Sequence, residues 1–342
     1  MKREAGFTLV ELLVSLAVTS VLILGVLATF DFSARMNRVQ LNVADMQQSL
    51  RIAQNEVVRL ARMTGRGSLP AAVAVQVVNN VPASTKLIAS DTSTEIAEGT
   101  DILRLRGVFG SSLYQIDWQD PTVWTPPNAS GEGTVVVRPT AAGVPQDLDA
   151  LLRALKAPEN DDETLLLVTP FDVHYVAAVN KDDVRMDGLN LEIDFKGHPN
   201  DAALNGTLPA GLPAVAYIGI LEEHVFYVRR TGAGNAPSLT RARLLPGSNE
   251  PYDEDEENVR LDLADNVYDM QIALGFGVAG APDLRLTTLV RTDRADAGNY
   301  QAPAMPLTIE DHAYPTTHLF NTAAQRKYRW RTMTTSVNLR NL

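Results

Sequence analysis

The chain has 342 residues, a formal net charge of −11 and no cysteine. Without thiols it can have no disulfides, cysteine nucleophiles or cysteine-ligated zinc and iron–sulfur centres. The acidic balance argues against a head that binds nucleic acid or anionic membranes broadly.

The first element is an apolar run. Between Phe7 and Phe30, Glu11 is the only side chain that ionises at neutral pH. A helix of about 24 residues covers roughly 36 Å, enough to cross a bilayer with some tilt. A carboxylate in that setting is costly unless something pairs with it. Lys2 and Arg3 precede the run, which argues that this end stays in the cytoplasm. A secretory signal peptide would have a shorter apolar stretch followed by a small-x-small cleavage pattern. A plain signal anchor would explain the length and the basic residues, but neither Glu11 nor the Gly6–Phe7 junction.

The helical pattern continues past the bilayer. Val39, Val43, Met46, Leu50, Ala53, Val57 and Leu60 recur at alternating steps of four and three, with arginines, glutamines and acids between them. The simplest role for such a stripe is packing on the chain's own core. Thr64-Gly65-Arg66-Gly67 followed by Pro70 predicts the stop, giving one continuous helix from Phe7 to Met63, roughly 85 Å long.

From about Ser68 to Leu342 the chain reads as a β-rich head, large enough for one substantial core or two smaller ones. Strands are predicted at Asp101–Val108, Thr134–Arg138, Thr164–Thr169, Val173–Val179, Leu189–Phe195, Val215–Arg230, Leu239–Leu245, Tyr268–Phe276, Leu284–Arg291 and Tyr328–Leu339. One amphipathic helix is predicted over Asp147–Ala157, acidic at its start, basic at its end and closed by Pro158. Asp120–Gly133, His198–Pro213 and Gly298–Pro315 read as long surface loops. No repeat of 20–50 residues is visible.

Gly6-Phe7-Thr8-Leu9-Val10-Glu11-Leu12-Leu13 resembles the class III signal of type IV pilins and pseudopilins. The resemblance implies that a prepilin peptidase cuts between Gly6 and Phe7 on the cytoplasmic side and N-methylates Phe7. It also implies that Glu11 pairs with the N-terminal amine of a neighbouring subunit, an arrangement in which the buried charge is neutralised. The fold it implies is α+β: a leader at residues 1–6, a transmembrane and assembly half at 7–30, an amphipathic half at 31–65, and a globular head at 68–342. Looser matches resemble the PilW-like minor pilins: Asp101 to Gly107, Leu263 to Gln271, Tyr328 to Arg331 and Thr335 to Asn341. Such proteins imply an inner-membrane precursor, a pilus location after assembly, other minor and major pilins as partners, and a tip adhesin. The J-type pseudopilin of type II secretion shares the same N-terminus, although this head is long for that protein. The lack of cysteine departs from many minor pilins, which carry a disulfide.

Other patterns point more weakly to chemistry. Gly275-Phe276-Gly277-Val278-Ala279-Gly280 matches G-x-G-x-x-G, but no βαβ alternation surrounds it, and a glycine-rich hairpin turn is the better reading. Asp253-Glu254-Asp255-Glu256-Glu257 offers Asp253, Asp255 and Glu257 as alternating oxygen ligands for Ca²⁺; a solvated loop is the simpler state. Asn160-Asp161-Asp162-Glu163 is a weaker case of the same kind. His174, His198, His224, His312 and His318 show no zinc spacing, and His174 and His224 read as sheet residues. Arg326 to Arg331 interleaves basic and aromatic residues, as a single-strand nucleic-acid platform would; a half-exposed strand fits as well and is preferred. No serine elbow or other catalytic constellation is present. The reading is of a non-enzymatic chain without a cofactor, with a DNA- or Ca²⁺-binding head as a further alternative.

Overall fold

A computed structural model describes residues 8–82, 84–88, 94–157, 163–231, 236–252, 260–276, 282–296, 301–302, 307–314 and 322–342. The chain opens with α1 (Leu9–Met63), an unbroken helix of 55 residues. It ends at Thr64, whose N–H still reaches the Leu60 and Ala61 carbonyls. Gly65 and Gly67 then take φ of 81° and 101°, left-handed values that suit glycine, and the Gly65 N–H bonds the Arg106 carbonyl. A single turn, α2 (Ala71–Ala74), leads into the sheets.

The strands follow in order: β1 (Val75–Val78), β2 (Thr94–Ile96), β3 (Ile102–Gly107), β4 (Tyr114–Gln115), β5 (Trp124–Thr125), β6 (Gly133–Val137), β7 (Thr140–Ala141) and β8 (Val144–Pro145). Helix α3 (Leu148–Leu155) precedes β9 (Glu163–Val168), β10 (His174–Val179), β11 (Val184–Asp187), β12 (Asn190–Gly197), β13 (Tyr217–Ile220), β14 (Glu222–Thr231) and β15 (Ser238–Leu244). The last strands are β16 (Arg260–Asp265), β17 (Val267–Phe276), β18 (Pro282–Arg291), β19 (Leu307–Ile309), β20 (His312–Tyr314) and β21 (Trp330–Asn338).

They form three main antiparallel sheets. The first runs β1-β3-β14-β15-β16, with β2 also on β14. The second runs β4-β13-β9-β10-β12-β6-β5, with β11 on β12, and the third is β17-β18-β21. The first and third sheets share one apolar core, into which α1 inserts Met46, Leu50, Ala53, Val57 and Leu60. The second sheet has its own core, closed by Leu148, Leu151 and Leu155 of α3. A long N-terminal helix on a sheet-rich head is the α+β architecture that the sequence implied, with two principal cores.

Local chemistry explains the differences from the sequence reading. The run Val215–Arg230 is two strands, because Leu221 is where the chain passes from the second sheet to the first; its N–H bonds the Thr164 carbonyl. Leu221 is buried like its flanks, so hydrophobicity alone does not mark the break. The Gly298–Pro315 stretch contains the β19–β20 hairpin, and Asp120–Gly133 contains β5. The loop His198–Pro213 is anchored by buried Leu204, Leu208 and Leu212. β21 begins at Trp330, two residues later than expected, because Gln325–Lys327 forms a 3-10 turn.

Candidate functional site

The N-terminal half of α1 is the candidate site. Thr8 caps the helix: its hydroxyl accepts the Glu11 N–H at 3.3 Å, while its own N–H and hydroxyl donate to Glu11 Oε2 at 3.0 and 2.9 Å. This reciprocal capping box satisfies groups that a helix start leaves open. It also fixes the orientation of the carboxylate. Glu11 Oε1 takes no hydrogen bond from a described residue, so it can accept a further donor. Gly6 and Phe7, the predicted processing residues, lie outside the described residues.

Beyond the cap, every hydroxyl in the apolar stretch turns back onto its own helix. Ser15 bonds the Leu12 carbonyl, Thr19 that of Ser15, Ser20 that of Leu16 and Thr29 that of Gly25, at 2.7–2.9 Å. In hydrocarbon, where no water can satisfy a hydroxyl, this internal bonding removes the main penalty for carrying them. Leu9, Leu12, Leu16, Leu22, Leu27 and Phe30 are all exposed. The stretch is long and apolar enough to cross a membrane, with a mean hydropathy of 2.5. An Asp31–Arg35 pair at 2.6 Å marks the return to water.

The second half of α1 behaves oppositely. From Met46 onward the predicted stripe is buried, while Val39 and Val43 are only half-buried. Sequence pattern did not single out Gln54, which is also buried and donates to the Met333 carbonyl at 3.2 Å. Glu56 pairs with Arg59 of its own helix and Arg241 of β15, and its carboxyl is held below the usual range first by the Arg59 hydrogen bond. At the top of the helix, fully buried Glu223 receives Arg104 and Arg106, each at 2.6 Å. Two adjacent acids inside the apolar run Ile220 to Val228 were the signal for this ionic lock.

The weaker patterns resolve separately. Asp253, Asp255 and Glu257 lie outside the described residues, as do Asn160, Asp161 and Asp162. Their roots do meet: Tyr252 donates its hydroxyl to Glu163 Oε2 at 2.6 Å. Burial pushes the Glu163 carboxyl up to about 7. Among the described residues no group of three or more His, Asp or Glu side chains is placed to hold a metal. His174 and His224 are buried on β10 and β14, as expected, and burial lowers the pKa of both. His224 Nε2 lies 3.4 Å from Glu222 Oε2. Burial acts to raise Glu222, but His224, Arg243 and the Gly110 N–H hold its carboxyl below the usual range. His198 meets Thr164 at 2.9 Å and His312 meets Asn80 at 2.5 Å; His318 lies outside the described residues.

Of the glycine-rich motif, Gly275 and Phe276 end β17 while Gly277 to Gly280 lie outside the described residues; β18 begins at Pro282, so a strand follows where a dinucleotide site needs a helix. Tyr328 precedes β21, which begins at Trp330, yet both rings join one cluster around Arg291 and Tyr268. Arg291 stacks on Tyr328 at 3.9 Å, Trp330 meets Tyr268 edge-on at 4.8 Å, and its indole N–H bonds the Gln325 carbonyl.

A family model described as the prokaryotic N-terminal methylation motif matches residues 1–27. This supports a type IV pilin-like protein or pseudopilin. The prepilin motif spans the cap, Glu11 and most of the exposed apolar stretch, and together they fit a membrane-anchored chain. Neither a curated protein nor a solved structure matches this chain significantly.

Proposed function

We propose that the chain is a minor pilin of the PilW-like branch that assembles into a type IV pilus. One observation carries this reading: the methylation motif, the oriented Glu11 and an exposed apolar half-helix coincide in α1. Prepilin peptidase cuts between Gly6 and Phe7 and methylates Phe7. Before assembly the chain sits in the inner membrane with its head in the periplasm; afterwards it is part of the pilus at the cell surface. Its partners are other minor and major pilins, met through α1, with a tip adhesin in a tip or priming complex that supports pilus biogenesis, adhesion or motility. No catalysis, cofactor or nucleic acid enters this role.

The mechanism follows from charge. The Glu11 carboxylate of one subunit pairs with the Phe7 amine of its neighbour, so each neutralises the other where water is absent. The capping box holds the carboxylate in place while Oε1 takes the incoming amine. Subunits therefore register before they leave the membrane. Glu11→Ala should still be cleaved, since the scissile junction is intact, but should be depleted from sheared pili. Wild-type levels in fibres would sink the role assigned to Glu11. The same motif and architecture also serve secretion-machine pseudopilins, and the neighbouring genes, minor pilins and an adhesin or a secretion operon, separate the two.

A further inference from the structure

The third sheet has one closed edge and one open edge. On β17, Asp101 closes the edge: its N–H donates to the Met270 carbonyl at 2.9 Å and its carboxylate accepts the Ile272 N–H at 2.7 Å. β21, at the other edge, pairs with β18 over Trp330–Asn338 in one unbroken register and, among the described residues, with no other strand. The direction of its free groups can be read from the ends of the ladder. Arg329 accepts from Thr292, and Leu339 donates to Pro282, so the odd-numbered residues address β18. By the alternation of an antiparallel pair, Thr332, Thr334, Ser336 and Asn338 turn their N–H and C=O groups outward. None of those groups has a hydrogen-bond partner among the described residues.

Long edges are normally blunted by charge, proline, a bulge or a covering element. From Thr332 to Asn338 this one has no charge, proline or glycine, and its register has no bulge. The other sheet ends are protected by brevity or position: β1 has 4 residues, β4 and β5 have 2 each, and β16 packs against α1. We infer that the outer edge of β21 is a docking site for an extended, uncharged segment of a different polypeptide, which joins the third sheet as a fourth strand. Backbone hydrogen bonds would supply the affinity, and the Thr332, Thr334 and Ser336 side chains the selection for β-branched and hydroxyl neighbours.

The geometry also decides against a second copy. Arg329 lines a groove with Arg35, Arg38 and Asp45; Met333 meets Gln54; and Asn341 donates to the Arg62 carbonyl. β21 therefore runs alongside α1 in the same direction. A symmetric pairing of two such edges is antiparallel, and would point one α1 out of the membrane that the other enters. This exclusion rests on the membrane-anchored reading proposed above; the open edge itself does not.

The test uses the detergent-solubilised full chain and an end-capped synthetic peptide with the sequence of Leu286–Val290, the uncharged part of the strand that β21 already accepts on its inner edge. Peptide binding should slow hydrogen exchange at Thr332, Thr334, Ser336 and Asn338 by at least about tenfold. Thr334→Pro removes an outward N–H and no backbone bond to β18, with the Thr287 hydroxyl contact at 3.0 Å the one bond to β18 that is lost, a change that edge strands tolerate. It should weaken peptide binding about tenfold and leave the thermal midpoint in place. If that variant does not fold, Thr334→Lys, which keeps every backbone bond and adds a charge at the edge, should weaken binding likewise. Three results would overturn the inference: no peptide-induced protection, equal binding by the folded variants, or protection that rises with chain concentration alone. Detergent solution requires no pilus assembly, so failure here is separable from failure of the pilin reading.

Discussion

The two halves of α1 share one helix and meet opposite fates. Leu9 and Phe30 are 77% and 69% exposed, whereas Leu50 and Leu60 are each 1% exposed. Both halves are rich in apolar residues, so hydrophobicity alone does not separate them. What separates them is pattern. The second half confines its apolar residues to a stripe that fits the first and third sheets, and it answers Glu56 and Gln54 with Arg241 and Met333. The first half is apolar all round and satisfies its hydroxyls internally, which suits an environment outside its own chain. Stability of the head and assembly of the chain should therefore be carried by different residues.

The sharpest break in that division comes at the top of the helix. Glu223→Ala leaves Arg104 and Arg106 facing a buried void and should cost about 3–5 kcal/mol in urea unfolding of the full chain in detergent. Leu60→Ala should follow at about 2–5 kcal/mol, since it opens a cavity in the core shared by α1 and two sheets. Leu22→Ala, the matched change in the first half, should stay within about 0.5 kcal/mol of wild type in the same assay. A Leu22→Ala loss comparable to that of Leu60→Ala would erase the distinction.

The head alone should carry a pH dependence. Burial raises Glu163 from 4.5 to about 7 and Asp269 from 3.8 to about 6 in the folded chain. A folded pKa above the unfolded value stabilises fully below the unfolded value and loses that stabilisation as pH rises through the folded one. Thermal midpoints should therefore fall between about pH 4 and pH 7, and Glu163→Gln should flatten the upper part of that fall. A smaller loss than those of Glu223→Ala and Leu60→Ala belongs to the capped helix of the second core. Asp147 accepts the Ala150 N–H at 3.0 Å, and Asp147→Ala should cost about 1 kcal/mol by thermal unfolding.

Legibility in the sequence followed the same division. The helix was expected over Phe7–Met63 and is described from Leu9 to Met63, because a cap, a periodic stripe and a glycine stop are all local signals. α3 was legible for the same reason, with Asp147 as its cap. Strands with a dense apolar run, such as β9 and β18, were found within two residues. β16 was missed: Arg260-Leu261-Asp262-Leu263-Ala264-Asp265 carries too many charges to read as a strand, and it is held by pairing with β15. The strands of 2 residues are too short to show a period: β4 exists through pairing with distant β13, β5 through β6, and β7 and β8 through each other. Within the site, Glu11 stood out as an isolated charge, but its capping by Thr8 emerged only with the fold. The open edge of β21 was not legible, since an edge is defined by which strands are absent beside it.

Mass spectrometry of the mature N-terminus tests the central claim most directly. The account predicts a chain that begins at Phe7 and carries an N-methyl group, with residues 1–6 removed. A chain that retains Gly6, or begins at Phe7 without the methyl group, would contradict it.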